Sequence, residues 1–208
     1  MNHSVPDRKK TSKRHEIDYN LELLDSFCAK PWDGQLELGF EKNPLREHIL
    51  KQLGVSPSAA SIILHVTTSN PSKQWPLSKF GAVIHELLRN TSLEIFLVGS
   101  EPKESLKRQL GLEDSERLHN VSGQTDLSQL ALLLREARCV VSLDSGPYHL
   151  AWMQKVPVVG LFLEEANGSD PDRWGVYPGF TQARQIHKRA DQISEREVID
   201  GIYGCLQN

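Results

Sequence analysis

From residue 61 onward, apolar segments of strand length alternate with segments of helical periodicity, and this alternation is the strongest constraint on the fold. The strand segments are continuously apolar, which is typical of strands that are buried on both faces. A helix between two strands allows both strands to run in the same direction. The sequence therefore predicts the α/β class, with a Rossmann-like parallel sheet that carries helices on both faces.

The predicted elements divide the chain into three parts. Strands are predicted at 62–66, 94–98, 118–121, 139–143 and 156–162. Helices between and after them are predicted at 77–89, 101–110, 126–137, 147–154 and 193–206, and two earlier ones at 16–28 and 44–53. We therefore expect a flexible basic tail (1–14), a helical connector (15–60) and a Rossmann-like domain (61–208).

Composition excludes several classes of protein. A formal net charge of −3 over 208 residues gives no reason to expect nucleic acid as a partner. Cys28, Cys139 and Cys205 have no C-x-x-C spacing, so we predict reduced thiols rather than disulfides or a zinc site. Apolar segments stay below the ~20 residues that cross a bilayer, and the first residues lack the apolar core of a signal peptide. We expect a cytoplasmic protein.

The segment 140–149 carries the clearest functional signal. An apolar strand ends at Asp144-Ser145-Gly146, and Pro147 opens a helix. Free N–H groups and the helix dipole favour an anion at such a point, and Ser145 and His149 add polar side chains. The segment predicts a phosphate site. The alternative is an ordinary helix cap, formed by Asp144 or Ser145, with a surface histidine.

Other polar residues follow the first predicted strand. Thr67, Thr68 and Ser69 offer three hydroxyls, and Lys73 offers a compact positive charge, which together suit a diphosphate. The alternative is a polar loop with an exposed lysine and a packed Trp75. The glycines form neither the dinucleotide-binding nor the P-loop pattern, which argues against a dehydrogenase or a P-loop NTPase.

The ends of the next two strands leave alternatives open. Glu101 and Glu104 either accept hydrogen bonds from a ribose or occupy the first turn of a helix that favours acidic residues. After the third strand, Gly123 allows close approach of the backbone to a ligand. Thr125 either contacts that ligand or merely precedes the cap residue Asp126.

A long segment between 163 and 183 is predicted to be a loop. Its Asp170-Pro171-Asp172 sequence is typical of a turn, so we assign no metal to it. Trp174 and Tyr177 either cover a sugar or base, or pack the loop onto its own domain.

Together these segments resemble glycosyltransferase family 9, the bacterial lipopolysaccharide heptosyltransferase family. The residues that carry the resemblance are His65-Val-Thr67-Thr68, Lys73-Gln-Trp75-Pro76, Val98-Gly99-Ser100, Ser122-Gly123-Gln-Thr125 and Asp144-Ser145-Gly146-Pro-Tyr-His149. The resemblance implies the C-terminal, donor-binding domain of a GT-B fold. It also implies that the N-terminal half of the family, with its acceptor site and general base, joins this chain in cis or in trans. We therefore assign no catalytic residue here.

The resemblance also implies roles for the residues predicted above. Thr67, Thr68 and Lys73 would face the phosphates of a nucleotide sugar, usually ADP-heptose in the family. Asp144, Ser145, Gly146 and His149 would line the diphosphate and sugar site. Asp144 would orient Lys73, cap the helix or accept from sugar hydroxyls. Transfer to a lipopolysaccharide core acceptor would be inverting and independent of metal and of any cofactor, with peripheral contact at the inner face of the inner membrane.

Two functions from different classes remain open. The first is a heptosyltransferase to which this chain supplies the donor-binding half. The second is a nucleotide-sugar-binding module, or a relic, that transfers no sugar. A third, an epimerase-like enzyme, would need catalytic residues that the sequence does not offer.

Overall fold

A computed structural model describes residues 13–25, 45–52, 59–99 and 103–207. The strands are β1 (Ser61–His65), β2 (Glu94–Val98), β3 (Leu118–Asn120), β4 (Cys139–Leu143), β5 (Val158–Leu163) and β6 (Ala183–Lys188). The helices are α1 (Glu16–Asp25), α2 (Leu45–Gln52), α3 (Leu77–Asn90), α4 (Lys103–Leu110), α5 (Leu127–Arg135), α6 (Gly146–Met153), α7 (Pro171–Trp174) and α8 (Glu195–Leu206). A 3-10 helix covers Pro71–Lys73.

The six strands of the described residues form one sheet in the order β3-β2-β1-β4-β5-β6. All neighbouring strands pair in parallel, which confirms the predicted α/β, Rossmann-like class. The chain moves outward in one direction from β1 to β3, then returns and moves in the other direction from β4 to β6. The direction reverses between β1 and β4, and crevices at the carboxyl ends of such strands are where ligands bind in open α/β sheets.

Two hydrophobic layers hold the sheet, one on each face. Side chains of β1 alternate between them, so Ile62 and Leu64 join one layer and Ile63 joins the other. Helices α3, α4 and α8 cover the first face, and α5 and α6 cover the second. The helical spacing of apolar residues in 77–89 places Phe80, Val83, Ile84 and Leu87 on one fully buried stripe of α3, with Leu88 partly buried beside it.

The main difference from the sequence prediction lies between 163 and 189. Residues 171–174 form α7 inside the predicted loop, and residues 183–188 form β6, where no strand was predicted. β6 lies at the edge of the sheet, and Ile186 is its one fully buried residue. An edge strand that is mostly exposed does not need an apolar run, so its sequence carries no strand signal.

Smaller differences concern element ends. α8 begins at Glu195 rather than at 193, since the Ser194 hydroxyl accepts a hydrogen bond from the Glu197 N–H and so caps the helix. β5 begins at Val158 because the Val156 N–H still bonds to the Ala151 carbonyl at the end of α6. Residues 1–12 of the predicted tail (1–14), Cys28 and Glu101 lie outside the described residues, and the division into tail, connector and domain stays a prediction.

The longest helix in the described part of the chain, α3, has 14 residues, and no described helix is long and apolar enough to span a membrane.

Gly160 on β5 lets α6 approach the sheet closely. The ring of Tyr148 lies so near that a Cβ on Gly160 would be 2.5 Å from Tyr148 Cε2 and 3.0 Å from Phe162 Cε2. Tyr148 is fully buried, and its hydroxyl donates to Gln185 Oε1 at 2.8 Å, so the ring has little freedom to move. This contact fixes the position of α6, whose first residues form the candidate site described below.

We expect Gly160→Ala to lower the free energy of unfolding by about 1–3 kcal/mol, because the added methyl overpacks the core against Tyr148. Urea unfolding of the purified protein measures this change. Gly204→Ala in α8 is the matched control: its Cβ would meet nothing within 4 Å, and we expect it to stabilise the helix by about 0.5 kcal/mol. Equal effects of the two substitutions would contradict the proposed close approach.

Candidate functional site

A cleft of about 550 Å³ opens at the carboxyl ends of β1, β2 and β4. Several residues predicted to bind a ligand line it together: Thr67, Thr68, Ser69, Thr125 and Ser145. These residues come from the loops after β1 and β3 and from the start of α6. The fold therefore brings together side chains that are up to 78 positions apart in the sequence (67 to 145), as the strand-end argument predicts.

The N-terminus of α6 faces open space. Ser145 occupies the cap position, but its side chain makes no cap hydrogen bond, and its hydroxyl lies 3.2 Å from His65 Nδ1 instead. Within the described part of the chain, the N–H groups of Ser145 and Gly146 have no acceptor. A Cβ on Gly146 would meet nothing within 4 Å. An ordinary side-chain cap is therefore wrong for this helix, and its free N–H groups and dipole remain available to an anion.

Lys73 and Asp144 form an ion pair beside this helix start. The Lys73 ammonium donates to Asp144 Oδ2 at 2.7 Å and to the Asp144 backbone carbonyl at 3.2 Å. The Asp144 side chain is 3% exposed and that of Lys73 is 24% exposed. Three roles were considered for Asp144. In the structure its carboxylate orients Lys73, and it does not cap α6. An ammonium has three N–H donors, so one remains for a ligand.

His149 lies one turn into α6, next to the same carboxylate. Its Nε2 is 4.0 Å from Asp144 Oδ1, and its Nδ1 accepts a hydrogen bond from Trp152 Nε1 at 3.2 Å. Burial lowers the pKa of His149; the Asp144 charge opposes that shift, while His15 and Lys73 add to it. The His149 side chain is 29% exposed, so it is half-buried beside Asp144 and Trp152 rather than fully exposed on the surface.

His65, at the end of β1, holds the adjoining strand ends together. Its Nδ1 lies 3.2 Å from the Ser142 hydroxyl on β4 and 3.2 Å from the Ser145 hydroxyl. Burial lowers the pKa of His65 from 6.5 to about 4, so the ring is neutral at neutral pH. His65 opens the His65-Val-Thr67-Thr68 segment, but it is not one of the predicted site residues.

Gln74 is a second residue that sequence reasoning missed. Its side-chain amide donates to the backbone carbonyls of Val66 (2.8 Å) and Trp75 (2.7 Å), and its Oε1 accepts from the Thr68 N–H at 3.2 Å. These bonds close the loop after β1 and set the position of Thr68 and Lys73. The only available signal was its place inside the Lys-Gln-Trp-Pro segment. Trp75 is fully buried, as the alternative interpretation of this loop held.

A buried hydroxyl marks the floor of the cleft. Thr67 is 5% exposed, and its Oγ1 has no hydrogen-bond partner. A Cβ on Gly99 would lie 2.3 Å from that oxygen, so glycine is needed there for Thr67 to keep its place. Buried polar atoms without a partner are rare in native proteins, and one in a cleft is a candidate ligand contact.

The remaining predicted residues differ in outcome. Ser69 is exposed at the rim, and Thr125 lies beside Asp126, which caps α5 in a capping box with Gln129. Glu104 belongs to α4, and its side chain, like all of Glu101, lies outside the description. The ribose role of either glutamate stays a prediction.

The segment after β5 packs against α1. Tyr177 donates its hydroxyl to Asp18 Oδ1 at 2.9 Å, and Arg173 pairs with Glu16 at 2.8 Å. Asp170 caps α7 by accepting from the Asp172 N–H at 2.9 Å, which is the turn-forming role predicted for it. The ring of Trp174 lies next to His149 instead, with 6.2 Å between the two ring centroids.

We expect Lys73→Ala to lower the free energy of unfolding by about 1–3 kcal/mol, because it leaves the buried carboxylate of Asp144 without its counter-charge. The double variant Lys73→Ala/Asp144→Asn should lose less than Lys73→Ala alone, as measured by urea unfolding. Arg196→Ala, which breaks the exposed Arg196–Asp200 pair, serves as the control and should change stability little. Additive effects at Lys73 and Asp144 would contradict a stabilising pair.

We also expect a stability loss on acidification that depends on His65. The unfolded chain protonates this ring near pH 6.5 and the folded chain only near 4, so the unfolded state binds more protons in between. Stability therefore falls as the pH drops from 6.5 to 4, by on the order of 3 kcal/mol. His65→Asn should flatten this part of the profile, whereas His187→Asn, at an exposed position on β6, should not. A wild-type profile that His65→Asn leaves unchanged would refute the assignment.

Comparisons with known proteins agree with this architecture. Lipooligosaccharide heptosyltransferase 2 of Haemophilus ducreyi is 38% identical over 85 residues, which cover 39% of this chain and 24% of that protein. The crystal structure of the glycosyl transferase family 9 from Veillonella parvula is 19% identical, with a TM-score of 0.78, over 95% of this chain and 62% of that chain. E. coli heptosyltransferase WaaC with ADP is 20% identical, with a TM-score of 0.69, over 94% of this chain and 58% of that chain.

At these identities the solved structures show a common fold and no more. The chain spans about half the length of the curated relatives that it matches over most of its own length. The family model of the heptosyltransferases matches residues 2–197. The chain therefore belongs to glycosyltransferase family 9 (heptosyltransferase).

Proposed function

We propose that this chain binds a nucleotide-diphosphate sugar, with ADP-heptose as the donor, in the cleft at the ends of β1, β2 and β4. The observation that carries the proposal is the uncapped N-terminus of α6 beside the Lys73–Asp144 pair. Free N–H groups, a helix dipole and one ammonium N–H converge there, and a diphosphate needs this combination of donors.

The proposed roles follow from the contacts. The N–H groups of Ser145 and Gly146 and the Lys73 ammonium bind the diphosphate, and Asp144 holds Lys73 in place. The hydroxyls of Thr67, which lacks a partner, and of Thr68 line the same cleft and bind the same ligand. His149 points toward the sugar side of the diphosphate, next to Asp144.

The same groups suit a glycosyl transfer that needs no metal. An acceptor hydroxyl attacks the anomeric carbon, the bond from that carbon to the diphosphate oxygen breaks, and the electron pair leaves with the nucleotide. Negative charge grows on the diphosphate, where the α6 N–H groups and Lys73 stabilise it. Direct displacement inverts the anomeric carbon. The proton of the acceptor goes to a general base that we do not assign to any residue of this chain.

The names of relatives support the choice of substrates. The solved WaaC structure contains ADP, and the curated relatives include lipooligosaccharide and lipopolysaccharide heptosyltransferases. We propose a lipopolysaccharide core acceptor on this basis, with peripheral contact at the inner face of the inner membrane.

A second candidate function is nucleotide-sugar binding without transfer. The observation that favours it is that the contacts described above are those of a ligand-binding site, and none of them is assigned to a general base. Separate measurements of binding and of transfer distinguish the two functions. Binding needs only the cleft, whereas transfer also needs an acceptor site and a base.

The first experiment measures thermal unfolding of the 208-residue protein with ADP, UDP or GDP. We expect ADP to stabilise it, by about 2.7 kcal/mol at a concentration 100 times its dissociation constant. Lys73→Ala should abolish this increment. Lys79→Ala is the matched control, since Lys79 donates to the carbonyls of Asp191 and Ile193 before α8, outside the cleft.

Stabilisation by none of the three nucleotides, or full retention of the ADP effect in Lys73→Ala, would contradict the proposed site. With ADP binding established, incubation with ADP-heptose and heptose-free lipopolysaccharide core tests transfer. Release of ADP that depends on the acceptor supports the enzyme, and binding without release supports the second candidate.

A further inference from the structure

Trp152 makes a hydrogen bond that determines the protonation state of His149. The two residues are three positions apart on α6, and the indole Nε1–H donates to His149 Nδ1 at 3.2 Å. An indole N–H is a donor and never an acceptor. The Nδ1 atom must therefore present its lone pair, and the ring proton resides on Nε2.

The proton on Nε2 points into the site. Asp144 Oδ1 lies 4.0 Å from Nε2, which is too far for a direct hydrogen bond. The other oxygen of Asp144 is taken by Lys73 at 2.7 Å. The Nε2–H group is thus left for an oxygen atom of a ligand, such as a sugar hydroxyl, which can accept from Nε2–H and donate to the carboxylate.

The groups around the ring favour its neutral form. Burial lowers the pKa of His149, and electrostatic interactions with His15 and Lys73 lower it further, whereas Asp144 alone raises it. From α7, Arg173 stacks on Trp174 at 4.9 Å, but its charge is paired with Glu16. Geometry and electrostatics therefore agree on one neutral tautomer.

The indole is held firmly in its position. Trp152 is 2% exposed and belongs to the hydrophobic layer beneath α6. Its ring packs edge-to-face against Phe180 at 5.3 Å and against His15 at 6.3 Å. His15 is fixed in turn, since its Nδ1 accepts from the Ile17 N–H at 3.1 Å and its Nε2 lies 2.9 Å from the Gly175 carbonyl.

We propose that Trp152 is a positioning residue that keeps His149 as the Nε2–H tautomer, so that His149 donates a hydrogen bond to an oxygen of the bound nucleotide sugar. In this role His149 is neither a cation nor a base. That this oxygen belongs to a nucleotide sugar rests on the proposed function. The assignment of the tautomer does not.

Trp174 provides a matched control within the same site. The ring centroids of Trp152 and Trp174 both lie 6.2 Å from that of His149. Only Trp152 donates to the imidazole among the described residues. Replacing each tryptophan by phenylalanine removes an indole whose ring centroid lies at the same distance from that of His149, and only for Trp152 is a described hydrogen bond to His149 lost.

The test is a nitrogen NMR measurement of the His149 ring in the wild-type protein at neutral pH. We expect an unprotonated Nδ1 and a protonated Nε2. Trp152→Phe should produce a mixture of tautomers and raise the pKa of His149, because a bond to the neutral form is lost. Trp174→Phe should leave both unchanged. A wild-type ring with a proton on Nδ1, or a cationic ring, would overturn the proposal whatever the stability of the variants.

A binding measurement then tests the ligand contact. We expect Trp152→Phe to weaken the affinity for ADP-heptose on the order of fivefold, the effect of one hydrogen bond, and Trp174→Phe to weaken it less. Equal losses in the two variants would refute the positioning role. If the wild-type protein shows the predicted tautomer but binds neither ADP nor ADP-heptose, the proposed function fails while the role of Trp152 in setting the tautomer stands.

Discussion

The ion pair between Lys73 and Asp144 is the interaction on which the candidate site depends. Asp144 follows β4 and is almost fully buried, and an isolated carboxylate at such a position would be costly. Lys73 comes from the loop after β1 and supplies the counter-charge. Because β1 and β4 are neighbours at the point where the strand order reverses, this one pair ties together the two halves of the sheet. The open N-terminus of α6 lies directly beside it.

α6 connects the hydrophobic core with the polar site. One face of this short helix inserts Tyr148 against Gly160, so the helix cannot shift relative to β5. Its first residue, Gly146, lies beside the cleft-lining Ser145 and Pro147, and Trp152 orients the imidazole of His149. A rigid element that carries both packing and polar contacts keeps ligand-binding groups in fixed positions, which reduces the entropy that binding has to overcome.

Contacts from outside the sheet support this arrangement. Glu16 and Asp18 at the start of α1 bind Arg173 and Tyr177, and His15 packs against Trp152. These bonds attach the first described helix to the segment after β5. That segment in turn brings Trp174 next to His149. Two segments far apart in the sequence, residues 15–18 and the segment after β5, therefore adjoin the pair of His149 and Trp152 on α6.

The sequence by itself determined the class of fold, because continuous apolar strands separated by helical patterns leave few alternatives to a covered parallel sheet. It also identified most polar residues of the site, since ligands bind where parallel strands end. It did not reveal β6, whose exposed edge position requires no apolar pattern. Only the tertiary structure decided which polar side chains meet: that Asp144 pairs with Lys73 rather than capping α6, that Ser145 turns to His65, and that Gln74 closes the loop. Such contacts join residues up to 80 positions apart (65 to 145), and local sequence patterns hold no information on the distance and angle at which they come together.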